Sequence, residues 1–416
     1  MKGIVVYYSG SGSTQKVSRS IYLGMKSVLE QCDIASIKNI DPKDMAKYDV
    51  TAIGGPIWYF RETANLRLFA YNMPEMTGKY VIPFCVHGAS PSGFFFSLVP
   101  TLLKKGLTVI GWNDWYGSVF HVLHMPKPYL TDGHPDAIDL KEAEQFGKEM
   151  AERARKIAAG DKSLIPEIPR GAKADPLWQP NNEFGGGGPP SGERQPGGPP
   201  QPDAGGHGGP GGPPVQQPVR KVNMAKCKYP ECTACIDNCL VNAFDFSVIP
   251  PKVKQNCLQC NMCDRLCAYD AIEVTGGRGA LPTTKSIDMK KCKYPKCTIC
   301  IDHCAMNSID FSQNPPVFKN SCEKDDLCYV ICPEGAIEMP NLAETHGRMG
   351  MKRGEHGFQD NIAEAEKKGK FRRLVKLNDA GFDNLIWKMK QRPIFNIKDL
   401  YDDNLDTVKK TKQNKA

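Results

Sequence analysis

Residues 227–332 constrain this chain more than any other stretch, because they carry a cysteine-rich repeat. Cys227-Lys228-Tyr229-Pro230-Glu231-Cys232-Thr233-Ala234-Cys235-Ile236-Asp237 returns 65 residues later as Cys292-Lys293-Tyr294-Pro295-Lys296-Cys297-Thr298-Ile299-Cys300-Ile301-Asp302. Asp245-Phe246-Ser247 likewise matches Asp310-Phe311-Ser312, and Pro250-Pro251 matches Pro315-Pro316. A match this long means two copies of one compact unit in succession. Thiols set their chemistry, since 15 of the 17 cysteines lie between Cys227 and Cys332. The first copy reads Cys227-x4-Cys232-x2-Cys235-x3-Cys239, then Cys257-x2-Cys260-x2-Cys263-x3-Cys267. The second repeats the first run and then reads Cys322-x5-Cys328-x3-Cys332, with Asp325 at the position of the missing cysteine.

Three chemistries use cysteines at this density. A disulfide framework needs an oxidising compartment, whereas Met1-Lys2-Gly3-Ile4-Val5-Val6-Tyr7-Tyr8 runs into Ser and Gly without a signal-peptide cleavage pattern. Structural zinc typically takes two separated Cys-x2-Cys pairs, not four cysteines in one run. Iron–sulfur clusters suit the spacing, because three thiolates on a tight loop reach three corners of a cubane and the fourth comes from elsewhere.

The runs resemble those of two-cluster bacterial ferredoxins, Cys-x2-Cys-x2-Cys-x3-Cys, in which the fourth cysteine of each run binds the other cluster. The run from Cys257 has that spacing; those from Cys227 and Cys292 are widened by two residues, and only Cys332-Pro333 ends in Cys-Pro. The resemblance implies two tandem small α+β ferredoxin-like iron–sulfur modules, at 219–281 and 282–340. Carried over by position, it implies Cys227, Cys232, Cys235 and Cys267 on one [4Fe–4S] cluster, and Cys257, Cys260, Cys263 and Cys239 on a second. Cys292, Cys297, Cys300 and Cys332 would hold a third. Cys304, Cys322, Cys328 and Asp325 would hold the fourth, as an Asp-ligated [4Fe–4S] or a [3Fe–4S] cluster. Alternatively Asp325 is one more solvated acid of Glu323-Lys324-Asp325-Asp326, with a three-iron cluster regardless.

Residues 1–170 alternate apolar runs at 4–8, 34–37, 50–53, 80–86 and 107–111 with helical spacing at 15–29, 63–71, 94–105 and 140–159. That alternation predicts an α/β layer fold with a parallel sheet. Ser9-Gly10-Ser11-Gly12-Ser13-Thr14 joins the first strand to the first helix, where glycines admit a ligand to the backbone and a helix N-terminus favours an anion. It lacks the Gly-x-Gly-x-x-Gly dinucleotide fingerprint. It resembles the flavodoxin phosphate loop, Ser/Thr-x-Thr-Gly-x-Thr, with Ser11 for the central Thr. That resemblance implies a doubly wound sheet of order 2-1-3-4-5 holding FMN on Ser9–Thr14. It adds Pro56, Ile57, Trp58 and Tyr59 after the third strand, and His87, Gly88 and Ala89 after the fourth, at the sheet's carboxyl end.

Between these parts, 171–218 is rich in Gly and Pro without periodicity, so it reads as a flexible linker. Such a chain of about 40 residues spans roughly 35 Å. Beyond Pro340 the chain turns basic, with 17 Lys and Arg against 11 Asp and Glu in 341–416. Phe382, Leu385, Ile386 and Met389 predict one short amphipathic helix there.

The whole chain resembles the flavodoxin–ferredoxin fusion proteins of anaerobic bacteria and archaea, with a second module, a long tether and a tail as departures. The resemblance implies an electron carrier more than an independent catalyst, relaying electrons between FMN and four clusters to or from a partner oxidoreductase. Two alternatives stay open: an FMN-dependent reductase of a small molecule such as a quinone, with His87 and Tyr59 as proton donors, or an electron-input subunit docked on a larger reductase or activator through its tail. A soluble, cytoplasmic protein is expected, because no run approaches the ~18–20 apolar residues of a spanning helix. Nucleic acid is not an expected partner, as Lys409-Lys410-Thr411-Lys412 is short.

Overall fold

Alternating apolar strands and amphipathic helices bury a parallel sheet from both sides, and the N-terminal part does so. In a computed structural model, strands β1 (Lys2–Tyr7), β2 (Gln31–Ser36), β3 (Val50–Trp58), β5 (Tyr80–His87) and β6 (Thr108–Val109) run in the order β2-β1-β3-β5-β6. A further strand, β7 (Asn113–Tyr116), continues the edge along β5, and β4 (Arg61–Glu62) pairs with β3. The residues described are 1–58, 61–88, 91, 93–118, 131, 133–168, 219–237, 239, 243–254, 257, 262–275, 285–319, 321–322, 325–340 and 401–408.

This strand order is the flavodoxin-like 2-1-3-4-5 topology, its fifth place shared by β6 and β7. Helices α1 (Ser13–Lys26) and α4 (Ala137–Ala158) pack together on one face, burying Val17, Ile21, Met150, Ala154 and Ile157. Helices α2 (Ala64–Asn72) and α3 (Phe94–Lys104) cover the other, with Leu66, Phe69, Phe94 and Leu98 inside. Asp136 starts α4 by accepting from the amides of Ile138 and Asp139, a capping box that satisfies otherwise orphaned donors.

One expectation changes. Pro56, Ile57 and Trp58 do not form a loop after the third strand, since β3 runs on through Trp58. The reason is a hairpin: Ile57 pairs with Glu62 and Trp58 with Arg61. His87 likewise closes β5 instead of opening the following loop.

Residues 219–340 form two small α+β units of one architecture. In the first, β8 (Val219–Val222) pairs antiparallel with β11 (Ile272–Thr275), and β9 (Phe244–Asp245) with β10 (Lys252–Val253). In the second, β12 (Ser286–Ile287) pairs with β15 (Ile337–Glu338), and β13 (Ile309–Asp310) with β14 (Val317–Phe318). Each unit adds two short helices, α5 (Ala234–Asp237) with α6 (Met262–Leu266), and α7 (Ile299–Asp302) with α8 (Leu327–Ile331). The repeat extends to side chains, as Tyr229 on Phe246 at 4.4 Å is matched by Tyr294 on Phe311 at 4.2 Å. Among the described residues, no helix is long and apolar enough to cross a membrane.

Both units meet the sheet domain. Leu266 of α6 packs with Ala64 of α2, and the Tyr71 hydroxyl donates to Asp237 at 2.5 Å. Ala305 is buried in the same core as Phe94 and Leu98. Residues 401–408 then return to β2, where the Thr407 amide donates to the Ile34 carbonyl at 2.9 Å. The linker expected at 171–218 and the helix expected at Phe382, Leu385, Ile386 and Met389 lie outside the described residues.

Candidate functional site

At the carboxyl end of β1 the chain needs a sharp turn before α1, and Gly12 provides it with φ of 93°. The Gly12 amide donates to Ser9 Oγ at 3.0 Å, which fixes the loop, but among the described residues no side chain caps α1. Among the described residues, the first amides of this 14-residue helix therefore have no capping side-chain acceptor, and Ser11 and Ser13 flank them half-buried. That donor set fits a phosphate group. Trp58 stands beside the loop, edge-on to Tyr8 at 5.8 Å, while Pro56 and Ile57 are half-buried next to it.

His87 is buried and its Nε2 lies 2.7 Å from Asp114 Oδ2, so its ring is held by β7. Among the described residues its Nδ1 finds no partner. Gly88 begins the following turn, and Tyr59 and Ala89 lie outside the described residues.

The cysteines gather into separate sites. Cys292, Cys297, Cys300 and Cys332 line one cavity, three from around α7 and one from the end of α8. Burial pushes the Cys300 thiol up to about 12, and Cys332, Cys292 and Cys297 add to the shift by facing it. The first unit repeats this: the Cys235 thiol is pushed up to about 12 by burial, then by Cys267, Cys227 and Cys232. Cys304, Cys322, Cys328 and Asp325 line another cavity. There burial raises the Cys328 thiol, Lys285 opposes the rise, and Asp325 and Cys322 reinforce it. Of the remaining quartet, Cys239 and Cys263 border one core with Val222 and Phe244, and Cys257 is half-buried. Cys260 lies outside the described residues.

Sulfur spacing tests which metal group these sites suit. Four thiolates on one zinc ion at about 2.3 Å stand only ~3.8 Å apart, whereas a cubane spreads its outer ligands further. Among the described residues, the set of three or more ligand atoms within 4.8 Å of one another is His134, Asp136 and Asp139, not any cysteine group. The described thiols are therefore not drawn together as a single zinc ion would draw them. Backbone donors also recur: the amides of Ala243, Ala271, Ser308 and Ala336 donate to the sulfurs of Cys239, Cys267, Cys304 and Cys332 at 3.1, 3.2, 3.2 and 3.3 Å. In all four runs the last cysteine accepts from the residue four further on.

Several residues at this junction carried no sequence signal of their own. A side-chain carbon on Gly10 would stand 3.1 Å from Leu327 and 3.4 Å from Trp58, so α8 lies against the loop before α1. The Tyr8 hydroxyl donates to the His303 carbonyl at 3.5 Å. Lys38 Nζ, just past β2, donates to the carbonyls of Asp302 at 2.6 Å and Cys304 at 2.9 Å. Lys285 forms a buried ion pair with Asp326 at 2.7 Å.

No protein-family model matches the chain. An NAD(P)H dehydrogenase (quinone) of Rhodopseudomonas palustris is 25% identical over 195 residues, covering 38% of this chain and 98% of that protein. A flavodoxin from the domain Archaea is 20% identical with a TM-score of 0.30, covering 37% of this chain and 99% of its own. The Megasphaera elsdenii flavodoxin is 20% identical with a TM-score of 0.29, covering 36% and 98%. Here the fold assignment rests on the strand order itself.

Proposed function

We propose that this chain is a multi-centre electron-transfer protein that relays electrons between FMN, four iron–sulfur clusters and a partner oxidoreductase. The observation that carries the reading is the junction of two donor sets. An uncapped phosphate loop lies against a cavity lined by Cys304, Cys322, Asp325 and Cys328. FMN exchanges one or two electrons and each cluster exchanges one, so together they convert between paired and single-electron carriers. Ser9–Thr14 would hold the phosphate and Trp58 would meet the ring. The cysteine sites would hold three [4Fe–4S] clusters and a fourth of three or four irons. In this reading the protein works in an anaerobic cytoplasm.

Anaerobic purification with iron and flavin analysis tests this. One FMN and about 15 or 16 iron atoms per chain are expected from the cubane count. About 8 iron atoms after full reconstitution would exclude one module. A second reading, reduction of a quinone-like small molecule, draws on the likeness to the quinone dehydrogenase. Steady-state assays with NAD(P)H and quinones decide between the two, rapid turnover by the chain alone favouring the enzyme.

A further inference from the structure

Of the four cysteine sites, the one at Cys304, Cys322, Asp325 and Cys328 has a cation delivered to it from the sheet domain. Lys38 leaves the end of β2, passes the Tyr8 ring at 5.9 Å and ends on the carbonyls of Asp302 and Cys304. Lys285, only 2% exposed, also approaches this site, at 3.9 Å from Cys322 Sγ while paired with Asp326. Among the described residues, the neighbouring site at Cys292, Cys297, Cys300 and Cys332 is lined by second-unit residues alone. The first unit meets α2 instead, through Tyr71 and Ala64.

We infer that the Cys304/Cys322/Asp325/Cys328 centre is the one electrically coupled to the flavin domain, and that Lys38 is the positioning residue that couples them. This rests on the functional reading above. A cluster with anionic ligands gains negative charge on reduction, and a nearby half-buried ammonium stabilises the added charge more than water at the surface would. Lys38 supplies that charge only while the sheet domain is docked. Docking therefore raises this centre's affinity for an electron and leaves the other three unchanged. Two carbonyl acceptors hold the ammonium in place.

The test is an anaerobic redox titration of the full chain followed by paramagnetic resonance, comparing Lys38→Met, Lys38→Arg and Lys291→Met with the parent. Lys291 is a control, as a half-exposed lysine of the same unit paired with Asp288 and Glu338. Lys38→Met is expected to shift one centre toward its oxidised form by about tenfold, which for one electron is about 59 mV. Lys38→Arg restores most of the shift and Lys291→Met causes none. Scattering of each sample reads docking separately. If Lys38→Met stays compact and no centre shifts, or all four shift alike, the inference is overturned. If it opens and Lys38→Arg closes it without restoring the potential, the charge has no part and the inference again fails. Iron and flavin analysis on the same samples reports independently on the functional reading, since missing cofactors would defeat that reading first.

Discussion

The Tyr7 hydroxyl donates to Asp406 Oδ1 at 2.8 Å, joining the first strand to a residue 399 positions away. Asp406 Oδ2 also accepts from the Ser36 amide at 2.8 Å and from Asn39 Nδ2 at 2.7 Å. Gln15 clasps the same segment from both sides, donating to the Asp402 carbonyl and accepting from its amide, each at 2.8 Å. The strap ends against the second unit, with Tyr401 edge-on to His303 at 5.4 Å.

Replacing Asp406 with Ala leaves three donors facing a gap, one of them on fully buried Tyr7. Unsatisfied buried polar groups cost ~1–3 kcal/mol each. Urea unfolding followed by tryptophan fluorescence should show a clear loss of stability for Asp406→Ala and a smaller one for Asp406→Asn. Equal stability of parent and Ala variant would mean the strap is detached in solution.

Arg67 and Glu62 form a fully buried ion pair beside Ser97, whose hydroxyl donates to Glu62 at 3.0 Å. Arg67→Met should destabilise the sheet domain by about 3–5 kcal/mol, because it strands a buried carboxylate. The double variant Glu62→Leu with Arg67→Met should recover most of that loss. Denaturant titrations of the two variants check this, and an equally unstable double variant would point to packing.

Trp58→Ala should weaken FMN binding roughly tenfold or more, as ring stacking is worth ~1–3 kcal/mol. Fluorescence titration of the flavin-free chain measures it, and unchanged affinity returns Trp58 to a packing role against Tyr8.

Asp325→Cys completes the spacing of Cys257-x2-Cys260-x2-Cys263. Soft thiolate binds cluster iron better than carboxylate, so mild oxidation should remove one iron from the parent and spare the variant. Under the proposed function, paramagnetic resonance would read the three-iron product in the parent and its absence in the variant. If the variant loses iron as readily, the carboxylate is not a ligand.

Cys32 and Cys85 stand apart from the repeat. Burial pushes the Cys32 thiol up to about 12 and raises that of fully buried Cys85. Thiolate is the reactive form, so iodoacetamide at pH 8 should spare both in the folded chain and label both after denaturation. Prompt labelling of Cys32 alone would report opening of the β2 edge.

The sheet was legible because its signals are local: Ile4, Val5 and Val6 sit in one unbroken apolar run, and Ser9–Thr14 follow directly. The grouping of Cys300 with Cys332 came from the position-by-position likeness, and both line one cavity. Strand bounds near the loops were less clear, since the hairpin of Trp58 with Arg61 has no periodic signature. What joins the parts was not legible at all. Lys38 and Leu327 look like an ordinary lysine and an ordinary leucine until the chain brings them to Cys304 and Gly10. Tyr401–Val408 lacks an apolar pattern, because backbone and carboxylate contacts attach it.

Connectivity and cohesion are different things in this molecule. Residues 171–218 link the sheet domain to the cysteine units along the chain, while Asp406 and Thr407 grip β1 and β2 from the far end. A protease that severed 171–218 would leave two polypeptides still clasped by that grip.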